Sequence, residues 1–177
     1  GTFRPANTLT GYAFMKMLLG ALGYDAEVEQ YTGANWSINV AKRALNIGLD
    51  DDLVGDFNGV KAVNREEACL YALNTLTADM VEYDAKTTVS TNGTTVVIAG
   101  SKAKEMVNNG NTDGKVFDKD GVMQFAEKYF DNLSVKTGSD DFARPANVWK
   151  LKAEEIGTYT NTPDATYTAK VEVGDIY

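Results

Sequence analysis

Three stretches in the first half of the chain place apolar residues at helical spacing. Phe14, Leu18 and Leu22 with Met15 and Leu19 predict a helix from about Thr10 to Leu22, ended by Gly23. Trp36, Val40, Ala44 and Ile47, flanked by Ile38, Ala41 and Leu45, predict a second from an Asn35 cap to Asn46. Gly48 stops it. Ala68, Leu70, Tyr71, Leu73 and Leu76 predict a third, from Arg65 to Thr77. Its start is specified twice. Asn64 is a good cap, and Glu67 stands three residues on, so each can satisfy the other's orphan backbone N–H. After about Asp79 the pattern turns to alternation. Thr87 and Val89, then Thr94 to Ile98, flank Asn92–Gly93, a strong hairpin signal. A short helix is expected over Ser101–Val107 and a longer one over Val122–Leu133, with Val122, Phe125, Ala126, Tyr129 and Phe130 on one side. Strands are expected at Val148–Leu151, Gly157–Thr160 and Thr166–Val173, with a turn at Asn161–Asp164.

The first and third helices share a frame. Phe3 matches Phe57, Leu9 matches Val63, Thr10 matches Asn64, Ala13 matches Glu67 and Leu22 matches Leu76, at a constant offset of 54 residues. A fixed period of this size suggests a repeat whose units cover one another's apolar faces. The predicted fold class is α+β. An all-α repeat region over residues 1–83 precedes a small α+β domain over 84–177, with an antiparallel or mixed sheet and one main helix.

The segment VNREEACLYALNTL resembles the T-R-A-E segment of the S-layer homology (SLH) repeat, with Asn64, Arg65 and Glu67 at the Thr, Arg and Glu positions. LTGYAFMKMLLGALGY resembles the same segment but carries Gly11 and Ala13 in place of Arg and Glu. GANWSINVAKRALNIGLDDDLVGDF between them is similar to the family's middle segment, through Trp36, Ala41, Ala44 and Gly48. The resemblance covers about the first 80 residues, one and a half repeats. It implies a module on the surface of a Gram-positive bacterium, with cell-wall polysaccharide or other surface proteins as partners. It also implies a role for Arg65 in holding an anionic wall polymer, since a planar guanidinium matches a carboxylate or ketal-linked pyruvate. QFAEKYFDNL and WKLKAEEIGTY resemble the segment that follows such repeats in some clostridial surface proteins, and no activity comes with that likeness.

Composition narrows the chemistry. The net charge is −8, and neither half carries the basic stripe that nucleic acid requires. No apolar run reaches the roughly 18 residues of a membrane span. The chain has no histidine, which removes His-based catalysis and His-ligated zinc or iron. The single cysteine, Cys69, is expected as a small buried side chain in the third helix. Asp50, Asp51 and Asp52 read as a solvated turn. Asn109, Asn111, Asp113, Gly114 and Asp120 fall at positions 1, 3, 5, 6 and 12 of a calcium loop of the EF-hand type, between two predicted helices. The same stretch also suits a Gly/Asn turn followed by Asp118 or Asp120 capping the next helix. The expectation is a non-catalytic surface module without a required cofactor. Its alternatives are a calcium-stabilised interaction module and, behind both, a glycosidase using a carboxylate pair such as Glu66–Glu67 or Glu154–Glu155.

Overall fold

The computed structural model describes residues 7–84 and 102–163, and the backbone alone for 87–91 and 94–98. The fold is mixed α+β. Helices α1 (Gly11–Ala21), α2 (Trp36–Asn46) and α3 (Arg65–Thr77) come first, followed by strands β1 (Val81–Glu82), β2 (Thr87–Thr91), β3 (Thr94–Ile98) and β4 (Lys104–Glu105). A short α4 (Phe125–Tyr129) leads into β5 (Leu133–Ser139), β6 (Pro145–Leu151) and β7 (Glu154–Thr160).

Local chemistry accounts for the helix ends. Thr10 Oγ1 accepts from Ala13 N at the start of α1. Asn35 occupies the cap position of α2, but its side chain makes no capping hydrogen bond. α3 carries the full reciprocal capping box between Asn64 and Glu67. Gly23 ends α1 with φ +103°, and a Cβ there would stand 2.2 Å from the Val81 carbonyl oxygen. Only glycine allows both that backbone conformation and the passage of β1.

α1 and α2 bury Met15, Leu19, Leu22, Val40 and Ala44 completely, with Phe14, Leu18, Trp36 and Ile47 packed around them. Ile38 and Leu45 are exposed, so the buried stripe of α2 is narrower than its apolar content suggests. α3 serves two cores. Tyr71 is buried in the first, and Leu76 packs on a second made of Val116, Ala126, Leu133, Val135 and Trp149. Cys69 is exposed rather than buried, because it lies on the face of α3 that neither core covers.

The chain then returns to the first core. β1 pairs antiparallel with β4, Val81 opposite Glu105. Met80 N donates to Met123 O, Met106 N to Met80 O, and Met123 N to Met106 O. Ala103, Met106, Met123 and Phe125 pack on the first cluster, so core contacts cross the expected boundary at Asp84. This pairing corrects two expectations. Residues 102–107 form no helix, because their backbone groups bond to β1 and to the Val107–Val122 bridge. The helix expected over Val122–Leu133 is only Phe125–Tyr129, since its first residues are held extended against Asp79–Met80 and Leu133 already opens β5. β2 and β3 pair antiparallel as expected, from Thr87 opposite Ile98 to Thr91 opposite Thr94. Asn92–Gly93 and the strand expected at Thr166–Val173 lie outside the described residues.

The order β5-β6-β7 forms an antiparallel sheet. Lys152 and Ala153 turn the β6–β7 hairpin at φ 51° and 69°. Two-residue hairpin turns favour Asn-Gly there, because other L-residues are strained at positive φ. Lys152→Asn with Ala153→Gly should therefore stabilise the protein by about 1 kcal/mol. An unchanged denaturation midpoint would show that this turn is not strained.

Candidate functional site

The entries to α1 and α3 lie side by side and antiparallel. Val63 N donates to Leu9 O (2.9 Å), Gly11 N to Lys61 O (3.0 Å) and Tyr12 N to Gly59 O (2.8 Å), with Thr10 bridged to Ala62. Phe57 anchors the turn before α3, edge-on to the rings of Tyr12 and Tyr71. Thus the two segments that match in sequence also meet in space.

Their first helical positions differ sharply. Gly11 is buried beneath the turn at 57–59, where a Cβ would come within 2.9 Å of Asn58 O and 3.0 Å of the Gly59 Cα. No arginine fits there. Arg65, its counterpart in the offset, is exposed and makes no ion pair among the described residues. The polar groups beside it are engaged. Glu67 Oε2 accepts from Asn64 N (2.9 Å), Asn64 Oδ1 accepts from Glu67 N (2.8 Å), and Lys61 Nζ donates to Glu67 Oε1 (3.2 Å). The Asn64 backbone N–H, and after it Lys61, hold the Glu67 carboxyl below its ordinary range. Glu67 is therefore occupied by the cap, whereas the Arg65 fork is available.

The loop that matches the calcium pattern is closed by the Val107–Val122 bridge instead of two helices. Asn109 and Asn111 are exposed. Asp113 Oδ1 accepts from Gly121 N (3.3 Å), while the Asp120 oxygens accept from Val122 N (2.8 Å) and Gln124 Nε2 (3.1 Å). The carbonyl of Lys115, at the seventh position of the pattern, accepts from Val135 N. The inside of the loop is held by Glu127, a residue that the sequence pattern did not single out. It is 1% exposed. Its oxygens accept from Asn108 Nδ2 (2.6 Å), Lys115 N (2.9 Å) and Val116 N (3.1 Å). These donors converge on an anion, the reverse of the oxygen cage that a cation requires. Among the described residues, no group of three or more His, Cys, Asp or Glu side chains could hold a metal.

The other carboxylates flagged by the sequence are dispersed. Asp50–Asp52 form a turn whose Asp51 carbonyl accepts from Asn74 Nδ2 (2.9 Å). Partial burial raises the Asp50 carboxyl above its ordinary range. Glu155 accepts from Thr158 Oγ1 on the sheet. A separate cluster joins the helices to β1. Glu29 accepts from Arg43 (3.2 Å) and from the Tyr83 hydroxyl (2.8 Å), and Arg43 lies over the Tyr24 ring. Burial pushes Tyr31 up to about 12 and raises Tyr83 too, so both stay protonated at neutral pH. No family model matches the chain, and no curated protein or solved structure matches it significantly.

Proposed function

We propose that this chain is a non-catalytic module of a Gram-positive cell-surface protein. In this reading its helical part is a degenerate SLH-like repeat pair, and Arg65 contacts an anionic cell-wall polysaccharide. The observation that carries the reading is the inequality of the two matched helix starts. One is closed by Gly11 under a turn, and the other presents Arg65 to solvent while its cap consumes the neighbouring carboxylate. A single exposed guanidinium beside a helix start can donate two parallel hydrogen bonds to a carboxylate on a polymer. The bonding in the loop at Asn109, Asn111, Asp113 and Asp120 gives no support to the calcium-stabilised alternative.

Two substitutions separate binding from scaffolding. Glu67→Ala removes half of the capping box and should cost about 0.5–1 kcal/mol. Because its carboxyl titrates lower in the folded state, that contribution is full above the ordinary glutamate range and is lost as pH falls through the lowered value. Arg65→Ala should leave stability almost unchanged, since an exposed charge contributes little. In pull-down with purified cell-wall sacculi, Arg65→Ala should release the protein while Glu67→Ala is retained. Equal retention of wild type and both variants, or retention of none, would remove Arg65 as a contact.

A further inference from the structure

A cleft lies where α3 and the Asp52 turn face the sheet, with a volume of about 140 Å³. Its wall includes the rings of Phe117, Trp149 and Tyr159, the carboxamides of Asn147 and Asn161, and the carboxylate of Asp52. Among the described residues, Asp52 is the one charged residue on it, and no Lys or Arg lines it. We propose that this cleft binds a neutral, hydroxyl-rich saccharide, a ligand of opposite character to the anionic polymer assigned to Arg65.

The register of the sheet builds the platform. Asn147 stands directly opposite Tyr159, and Trp149 opposite Gly157. Side chains two apart on a strand share a face, so Asn147, Trp149 and Tyr159 lie together. Trp149 is 6% exposed and belongs to the second core, while Tyr159, farther along the same face, is 60% exposed. The Tyr159 ring lies back over Gly157, where a Cβ would meet its Cε2 at 2.9 Å and its hydroxyl at 3.0 Å. The glycine thus makes room for the tip of the ring, most of which stays exposed. Two residues in the left-handed region, Asp52 (φ 64°) and Phe117 (φ 55°), set the opposite rim. Phe117 is held there by the bond from its N–H to Val135 O.

The chemistry of this wall selects the ligand. A pyranose has an apolar C–H face that can lie on an aromatic ring, and hydroxyls at its edge. Carboxamides serve such hydroxyls well because each both donates and accepts. The carboxamides of Asn147 and Asn161 make no hydrogen bond among the described residues, so they are open to a ligand. Asp52 already accepts from Thr162 Oγ1 and can accept further bonds. A negatively charged sugar would meet Asp52 with no cation among the described residues of the wall to offset it, which disfavours it.

The test uses the full chain labelled with nitrogen-15 and titrated with cellotetraose, tetra-N-acetylchitotetraose or the anionic trigalacturonate. The protein has two tryptophans, so two indole N–H signals report separately on Trp149 and on Trp36, which packs on the other core. At least one neutral tetrasaccharide should move the Trp149 signal and leave Trp36 in place. Tyr159→Ala, which alters an exposed side chain, should weaken that binding about tenfold. Asn147→Ala should weaken it as well. Phe142→Ala, an 80% exposed ring that does not line the cleft, and Arg65→Ala should leave it unchanged. The proposal is overturned if neither neutral probe moves Trp149, if Tyr159→Ala binds like wild type, or if trigalacturonate binds more tightly. The Arg65 reading can fail in sacculus pull-down without affecting these results, and the reverse also holds.

Discussion

Replacing Glu127 by alanine should lower the stability of the protein by about 2–4 kcal/mol, more than the other truncations proposed above. Its carboxylate is the common acceptor for the Asn108 side chain and for two successive backbone N–H groups, those of Lys115 and Val116. Val116 N would lose its partner in a buried place, at about 1–3 kcal/mol, while Lys115 N would keep only Thr112 O and Asn108 Nδ2 only Thr112 Oγ1. A cavity beside Ala126 and Val116 adds to this. Asn108 in turn accepts from Gly110 N and bonds to Thr112, so the loop at 108–116 would loosen with it. Glu127→Gln should cost less, about 1–2 kcal/mol, because one oxygen can still serve the two backbone donors. Chemical denaturation of the three proteins orders them. A Glu127→Ala variant as stable as wild type would mean that this carboxylate does not organise the loop.

The second large effect is expected at Gly11. Restoring the arginine of the repeat pattern there, Gly11→Arg, should destabilise the protein by about 3 kcal/mol or more, a melting decrease of about 10 °C for a chain of this size. The obstacle is backbone. The first side-chain atom would press on Asn58 O, the Gly59 Cα and the Phe57 ring, and the rest of the side chain would have to lift the turn from α1. Lifting it would also break the bonds from Gly11 N to Lys61 O and from Tyr12 N to Gly59 O. The substitution should therefore not create a second polymer contact, and sacculus retention should not rise. A Gly11→Arg variant of wild-type stability would show that the turn yields easily and that the two helix starts are equivalent.

The helical region was legible because its signals are local. α3 runs from Arg65 to Thr77 as its cap and apolar spacing require, and the Asn64–Glu67 exchange involves residues three apart. The hairpin β2–β3 follows from β-branched residues on either side of a turn dipeptide. The segment between 102 and 133 was less legible. Lys104–Glu105 and Val122–Met123 are extended because partners far along the chain, at Met80 and Val81, take their backbone groups. An apolar run of that length is compatible with helix until such a partner is known. β5 is hidden for the same reason, since Leu133 also fits the end of the predicted helix. The candidate site divides in the same way. Arg65 was visible in a motif, but the closure of its counterpart depends on a turn 47 residues farther on, from Gly11 to Asn58.

The sequence by itself determined where α1, α2 and α3 begin and that the chain has no histidine. It did not determine which side of β7 faces the protein. Alternation states that Thr158 and Tyr159 lie on opposite faces, not which of them is inward. The irregularity between Trp149 and Lys150 decides this. Lys150 pairs with Glu155, and Trp149 with Gly157, so Ile156 is passed over. An extra residue in one strand shifts every later side chain to the other face. Without it Thr158 would stand opposite Asn147, and Tyr159 would point away from the cleft. The bulge is a property of two strands packed on a core, and no single stretch of the chain contains it.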